Sequence, residues 1–155
     1  MNQDNFEFQQ RFHYDPRKDL IGKGVYGNVY KAIDQETHRD VAIKHISAHD
    51  DQEQKDVDRE INILKKLTHT YCVRFVAAYS TKKKNNYIVT DFCNQGTLEQ
   101  LLKRRKTLTE AEALTVIMQI AEVMNCLIGE GLDNKDQEKV LLMHRDIKPA
   151  RVPCG

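Results

Sequence analysis

The chain has 155 residues, 40% hydrophobic and 30% charged, and 24 Lys plus Arg against 23 Asp plus Glu leave a net charge of +1. That length and apolar content suit one folded domain with a core and exclude a disordered tail. So balanced a charge supplies no global field for nucleic acid or an anionic membrane surface.

Residues 1–5 carry neither a basic nor an apolar signal region, and no apolar run approaches the roughly 18 residues a membrane span needs. Residues 1–15 are polar with Phe6, Phe8 and Phe12 spaced through them, and read as a lead-in packed loosely on the first strand. Over 18–47 the β-branched Val25, Val29, Val41, Ile43 and Ile46 predict strands, with a Gly-rich stretch where a hairpin would turn. A charged segment from Asp50 leads into Val57, Ile61, Leu64 and Leu67, whose spacings of four and three make one apolar face of a helix. Residues 73–79 and 87–92 are the next strands, with 82–86 a polar turn between them. Thr97 is placed to N-cap a helix that begins Leu98-Glu99-Gln100-Leu101-Leu102. Thr109 and Glu112 then form a capping-box pattern ahead of a longer helix. Leu114, Ile117, Met118, Ala121 and Met124 share a face of it, and the methionines read as core filler. The polar, acidic stretch 129–139 reads as a loop. The order is five strands with one interposed helix, then two helices, with no repeat and no linker.

Lys82-Lys83-Lys84 and Lys103-Arg104-Arg105-Lys106 read as solvated turn and helix-end positions, since no aromatic residue interleaves with them. The four cysteines are scattered, without metal-ligand spacing, so free thiols in a reducing, cytoplasmic setting are expected.

Three motifs carry chemistry: Gly22-Lys23-Gly24-Val25-Tyr26-Gly27, then Val41-Ala42-Ile43-Lys44, then His144-Arg145-Asp146-Ile147-Lys148-Pro149. A Gly-x-Gly-x-x-Gly alone is weak, because dinucleotide-binding folds share the spacing. Those folds need a helix directly afterwards, with its N-terminus on the pyrophosphate. Here the strand-like Asn28-Val29-Tyr30-Lys31-Ala32-Ile33 follows, which favours a hairpin folded over phosphates, its N–H groups close to oxygens where no Cβ intervenes. Lys44 lies 17 positions after Gly27, inside an apolar strand where a lone Lys would ordinarily face solvent. Asp146, in a loop after a long helix, is a carboxylate able to accept a hydroxyl proton and orient the attacking oxygen.

In this order the motifs resemble the eukaryotic protein kinase family, in its Ser/Thr branch. The resemblance implies an α+β fold. A lead-in over 1–15 precedes a small lobe over 16–93, a five-stranded antiparallel sheet with one helix, and 94–155 holds the first helices of an incomplete large lobe. It also implies transfer of the γ-phosphoryl group of ATP to a protein hydroxyl, with Mg²⁺ as cofactor. ATP and a protein substrate are the partners, with no nucleic acid and no membrane. Lys44 would hold the α/β-phosphates and pair with Glu60, which flanks the Ile61/Leu64 stripe; Glu53 is the other candidate, but precedes the clear periodicity. Ile21, Gly22, Gly24, Gly27, Val29 and Ala42 would enclose the nucleotide. The run Tyr87-Ile88-Val89-Thr90-Asp91-Phe92-Cys93-Asn94-Gln95-Gly96 is similar to the family's strand and hinge. There Thr90 would guard the back of the pocket, and Asp91 and Cys93 would offer backbone groups to the adenine edge. His144 would pack in the core and Arg145 would meet a phosphorylated activation loop. Asp146 would orient the acceptor, and Lys148, typical of the Ser/Thr branch, would neutralise charge at the transferring group. The hinge phrase and Ile147-Lys148-Pro149-Ala150 resemble those of autophagy-initiating and calcium/calmodulin-type kinases.

Departures from the family pattern bear on activity. The family has a metal-ligating Asn five residues after the catalytic Asp; here Arg151 stands there, and its permanent charge would repel Mg²⁺. The Asp-Phe-Gly that makes the other Mg²⁺ contacts is absent from the sequence, and no metal ligand is assigned. The stretch 129–139 lengthens the link to the catalytic loop. The resemblance covers about 19–150, and Arg151-Val152-Pro153-Cys154-Gly155 does not resemble the family. The expectation is a truncated kinase domain, inactive as this chain, with an uncovered Leu114/Ile117/Met118 stripe that lowers solubility. The alternative is a pseudokinase-like fragment that holds a nucleotide or partner without turnover.

Overall fold

Six antiparallel strands form the sheet that organises the first part of the molecule. The computed structural model describes residues 3–24, 27–129, 132–133, 139–140 and 147–154. The chain divides into two units, 1–68 with 73–92, and 69–72 with 93–155.

In the first unit, helix α1 (Gln3–Arg11) leads into β1 (Phe12–His13), β2 (Leu20–Gly24), β3 (Gly27–Asp34) and β4 (Arg39–Ser47). Helix α2 (Asp51–Lys66) follows, then β5 (Phe75–Ser80) and β6 (Asn85–Asp91). The strand order is β1-β3-β4-β6-β5, with β2 also on β3. Because β1 pairs with Ile33 and Asp34 while β2 pairs with residues 27–30, the two share one edge, and the sheet is five strands wide. The β-branched run predicted over 18–47 is β2 to β4, and the period-2 alternation sorts its side chains. Val41 and Ile43, with Val89 of β6, are buried on one face; Ile46 and Ile88 are buried on the other.

Helix α2 covers the second face with Val57 and Ile61, the predicted apolar stripe, and Leu64 packs partly buried beside them. Asp50 starts it, its side chain accepting from the Glu53 N–H at 2.8 Å. The first face is covered by the segment read as a loose lead-in, and here the structure corrects the sequence reading. Phe8 and Phe12 are each 3% exposed and belong to the cluster of Ala32, Val41, Ile43 and Val89. The Phe8 ring stacks on Tyr87 with centroids 4.3 Å apart. Arg11 adds a bidentate pair to Asp34, with Nε 3.1 Å from Oδ1 and Nη2 2.9 Å from Oδ2. That guanidinium holds the Asp34 carboxyl below the usual carboxylate range, although burial pushes the other way. Asp34 also accepts from the Glu36 N–H, so a side chain only 1% exposed has its acceptors used.

The second unit holds α3 (Leu98–Arg105) and α4 (Glu110–Gly129). Thr97 caps α3 in a full capping box with Gln100, as its sequence position predicts. Thr109 and Glu112 do the same for α4: the Glu112 N–H reaches Thr109 Oγ1 at 3.3 Å, and the Thr109 N–H reaches Glu112 Oε2 at 2.8 Å. Arg105 closes this corner, with Nη1 2.6 Å from Glu112 Oε1. The hydrogen bonds from Arg105, then from Thr109, hold the Glu112 carboxyl down at about 2. On α4 the stripe expected to be uncovered is outside: Leu114, Ile117 and Met118 are 56%, 62% and 55% exposed, so Met118 is not the core filler it reads as, whereas Leu127 is buried. The stretch read as a loop contains a short pair, β7 (Leu132–Asp133) with β8 (Lys139–Val140). The tail returns to the start of α3, where the Leu98 N–H donates to the Val152 carbonyl and the Cys154 N–H to the Gly96 carbonyl, both at 2.8 Å. Among the described residues no disulfide joins cysteines, and no helix is long and apolar enough to cross a membrane.

Candidate active site

The register of β3, β4 and β6 lines up one row of side chains on the face that α2 covers. Val29 lies opposite Lys44, and Lys44 opposite Ile88; one step along, Lys31 lies opposite Ala42, and Ala42 opposite Thr90. Directly opposed residues of an antiparallel pair point to the same side. Val29, Ala42, Lys44 and Thr90, spread over 62 positions of sequence, therefore share one surface. From this surface Lys44 reaches α2, its Nζ 2.7 Å from Glu60 Oε1 and 2.9 Å from Oε2. These are short, charge-assisted bonds to both oxygens of one carboxylate. The two side chains are 30% and 41% exposed, so the ammonium is oriented by the protein yet open to a further anion. Glu53 does not compete for it: its Oε2 accepts from the His49 N–H at 2.7 Å.

The three glycines of the hairpin are not equivalent. Gly27 has φ +135°, and a Cβ built on it would run into the His45 carbonyl oxygen, so β4 itself demands a glycine there. Among the described residues nothing makes that demand at Gly22 or Gly24, where the nearest atoms to a Cβ lie at 3.7 Å, ordinary contact. Without a Cβ at these two positions, a ligand could come close to the backbone of the hairpin. Ile21 is the extra residue of a bulge between Leu20 and Gly22, and is half exposed. Val25 and Tyr26 lie outside the described residues.

At the far end of the row, Asp91 is fixed by Arg74. Arg74 donates from Nε to Oδ2 at 2.9 Å and from Nη2 to Oδ1 at 2.7 Å, and the Asp91 N–H donates to the Arg74 carbonyl at 3.0 Å. Sequence reasoning did not single out Arg74, since one Arg before a strand carries no spacing signal. It also passed over Lys31, whose position two residues from Val29 places it on the same face. The Lys31 Nζ lies 4.9 Å from the Phe92 ring centroid and 2.8 Å from Asp40. Cys93 and Lys148 belong to the second unit, where Lys148 is exposed just before the turn Pro149–Arg151. His144, Arg145 and Asp146 lie outside the described residues. Among the described residues no group of three or more His, Cys, Asp or Glu is arranged to hold a metal ion. The described residues thus leave Lys44 open to an anion, and among them no metal centre is arranged.

A family model described as the protein kinase domain matches residues 16–152. The chain belongs to the protein kinase family. The match extends the sequence-derived range of 19–150 at both ends, and takes Arg151 and Val152 into the family stretch. The human Serine/threonine-protein kinase ULK1 is 34% identical over 140 residues, 88% of this chain and 12% of its own length. The Arabidopsis thaliana L-type lectin-domain containing receptor kinase V.7 is 34% identical over 136 residues, 87% of this chain and 20% of its own. The Drosophila melanogaster Serine/threonine-protein kinase hippo is 32% identical over 133 residues, 85% of this chain and 18% of its own. The chain therefore spans a fifth or less of the length of these curated relatives. Protein kinases as a family use ATP and Mg²⁺ and act on protein hydroxyls.

Proposed function

We propose that the chain provides the nucleotide-holding part of a Ser/Thr protein kinase, which moves the γ-phosphoryl group of ATP to a protein hydroxyl. The observation that carries this is the bidentate Lys44–Glu60 pair on the sheet face shared by Val29, Ala42 and Thr90. Glu60 holds the Lys44 ammonium at a fixed point, so an anion meets a positive charge that needs no reorganisation. Gly22 and Gly24 offer backbone N–H groups to phosphate oxygens. Ala42 leaves room for a flat base, Val29 packs on it, and Thr90 limits its depth. Arg74 orients Asp91, whose backbone, with that of Cys93, meets the edge of the base. Ile21 and Gly27 complete the hairpin. Asp146 takes the proton from the acceptor hydroxyl, and Lys148, the residue that points to the Ser/Thr branch, balances charge at the transferring group. Bound ATP supplies the phosphoryl group and its leaving diphosphate. No step is assigned to Mg²⁺, because the described residues hold no site for it.

Incubation with γ-labelled ATP and a generic protein substrate tests the reading, with Asp146→Ala as control. Label transferred above the control supports a phosphotransferase; none refutes it for this chain. A second reading, a nucleotide-binding module without turnover, is favoured by Arg151 at the position of a metal-ligating Asn. It requires ATP binding with no label transfer.

A further inference from the structure

Asn86, the second residue of β6, is completely buried, and every hydrogen-bonding position of its amide is used. Its Oδ1 accepts from Gln54 Nε2 at 3.0 Å and from Ser80 Oγ at 2.7 Å. Its Nδ2 donates to Gln54 Oε1 at 3.0 Å and to the Lys84 carbonyl at 3.1 Å. So satisfied an amide cannot flip without losing all four bonds, which makes it a fixed point of the sheet. Gln54 meets it from the first turns of α2, with a reciprocal amide pair, and its Nε2 also donates to Asp58. The turn before β6 reinforces the join. The Lys84 carbonyl also accepts from the Ala48 N–H at 3.0 Å, and Lys84 Nζ lies 2.7 Å from Asp51 at the start of α2.

We propose that the Gln54–Asn86 pair is a positioning device that fixes the rotation of α2 about its own axis, so that Glu60 meets Lys44. Six residues separate Gln54 from Glu60, which places them about 120° apart around the helix and about 9 Å apart along it. Val57 and Ile61, the buried stripe, lie between the two angles. Apolar contacts are non-directional and by themselves let the helix roll. Two directional anchors, one on each side of the stripe, oppose rolling both ways. Gln54 and Asn86 are thus positioning residues. Their effect on nucleotide affinity rests on the function proposed above; the lock itself does not.

The test is the acylation rate of Lys44 by an amine-reactive acetate ester, read by mass spectrometry on the full chain, with ATP titrations in parallel. Variants are Gln54→Leu, Glu60→Gln and the double variant; Gln54→Glu keeps the acceptor for Asn86 Nδ2 and loses the donor. Freed from Glu60, Lys44 in Gln54→Leu is expected to label about three- to tenfold faster, the scale of one or two neutral hydrogen bonds, while Lys55 and Lys65 keep their rates. Gln54→Glu falls between. The double variant labels no faster than Glu60→Gln alone, because both changes release the same contact. An unchanged Lys44 rate in a Gln54→Leu protein whose Tm has fallen would reduce the pair to a structural one and overturn the proposal. So would rates that multiply in the double variant. If the unaltered chain binds no ATP, the nucleotide reading fails, and the labelling rates still decide the lock.

Discussion

Replacing Phe8 by Ala removes a ring that is 3% exposed, stacks on Tyr87 and meets Phe12, Tyr14 and Tyr79 with centroids 5.5 to 6.3 Å away. Truncating a buried Phe to Ala costs about 3–5 kcal/mol, with the lower end where the site can collapse. Helix α1 is a short surface helix of nine residues, so the lower end, about 3 kcal/mol, is the expected loss. For a chain of this size that lowers Tm by about 6–12 °C. Thermal and urea melts followed by far-UV circular dichroism give the value directly. Phe6→Ala is the internal control: Phe6 is 51% exposed, and its loss should stay within about 0.5 kcal/mol. Nucleotide affinity of folded Phe8→Ala should be unchanged, since Phe8 covers the face of Val41 and Ile43, opposite the side chain of Lys44. Equal shifts for Phe8→Ala and Phe6→Ala would refute the reasoning, because α1 would then contribute nothing to the core.

The glycines give a paired prediction. Gly27→Ala, at φ +135° and against the His45 carbonyl, should lower Tm clearly, whereas Gly22→Ala and Gly24→Ala should leave Tm level or slightly raised and weaken ATP binding. The pattern fails if Gly22→Ala melts early or binds ATP as before. At the α3–α4 corner, Glu112 is held at about 2 against an ordinary 4.5, so its contribution is present above about 4.5 and is lost as pH falls from there toward 2. The Thr109 amide signal should follow that window and go flat in Glu112→Gln, whereas a midpoint near 4.5 would contradict the pairing. Asp34 shifts in the same direction in the first unit, and the comparison with Glu112→Gln separates the two.

Much of the site is legible in the residues themselves. Lys44 stands out as a charge inside an apolar strand, the family resemblance matches Glu60 to it from the edge of the apolar stripe of α2, and the two pair at 2.7 Å. Thr97 and Thr109 announce their helices because capping is local chemistry. What sequence does not carry is which apolar face finds a cover. Phe8 and Phe12 sit in a polar stretch, and their burial depends on Val41, Ile43 and Val89 far along the chain. The α4 stripe is the contrasting case: Leu114, Ile117 and Met118 are expected to be uncovered and are exposed, although Met118 by itself reads as core filler. Gly22 and Gly27 look alike in the motif, and only the distance to His45 separates a structural glycine from one that packing does not require. Asn86 is invisible for the same reason, since an Asn at a turn is ordinary until Gln54 is found against it. The His144-Arg145-Asp146 motif is the reverse case: Asp146 is read from sequence alone and lies outside the described residues.

Calorimetric titration of ATP into the unaltered chain and into Lys44→Met tests the central claim most directly. Met keeps the length of the side chain and removes the ammonium, and Glu60 is exposed enough to be solvated when unpaired. The account predicts saturable binding to the unaltered chain and affinity at least about tenfold weaker in the variant, the effect of losing one charge-assisted contact worth about 1.4 kcal/mol or more. Equal affinities, or no saturable binding to the unaltered chain, would contradict it.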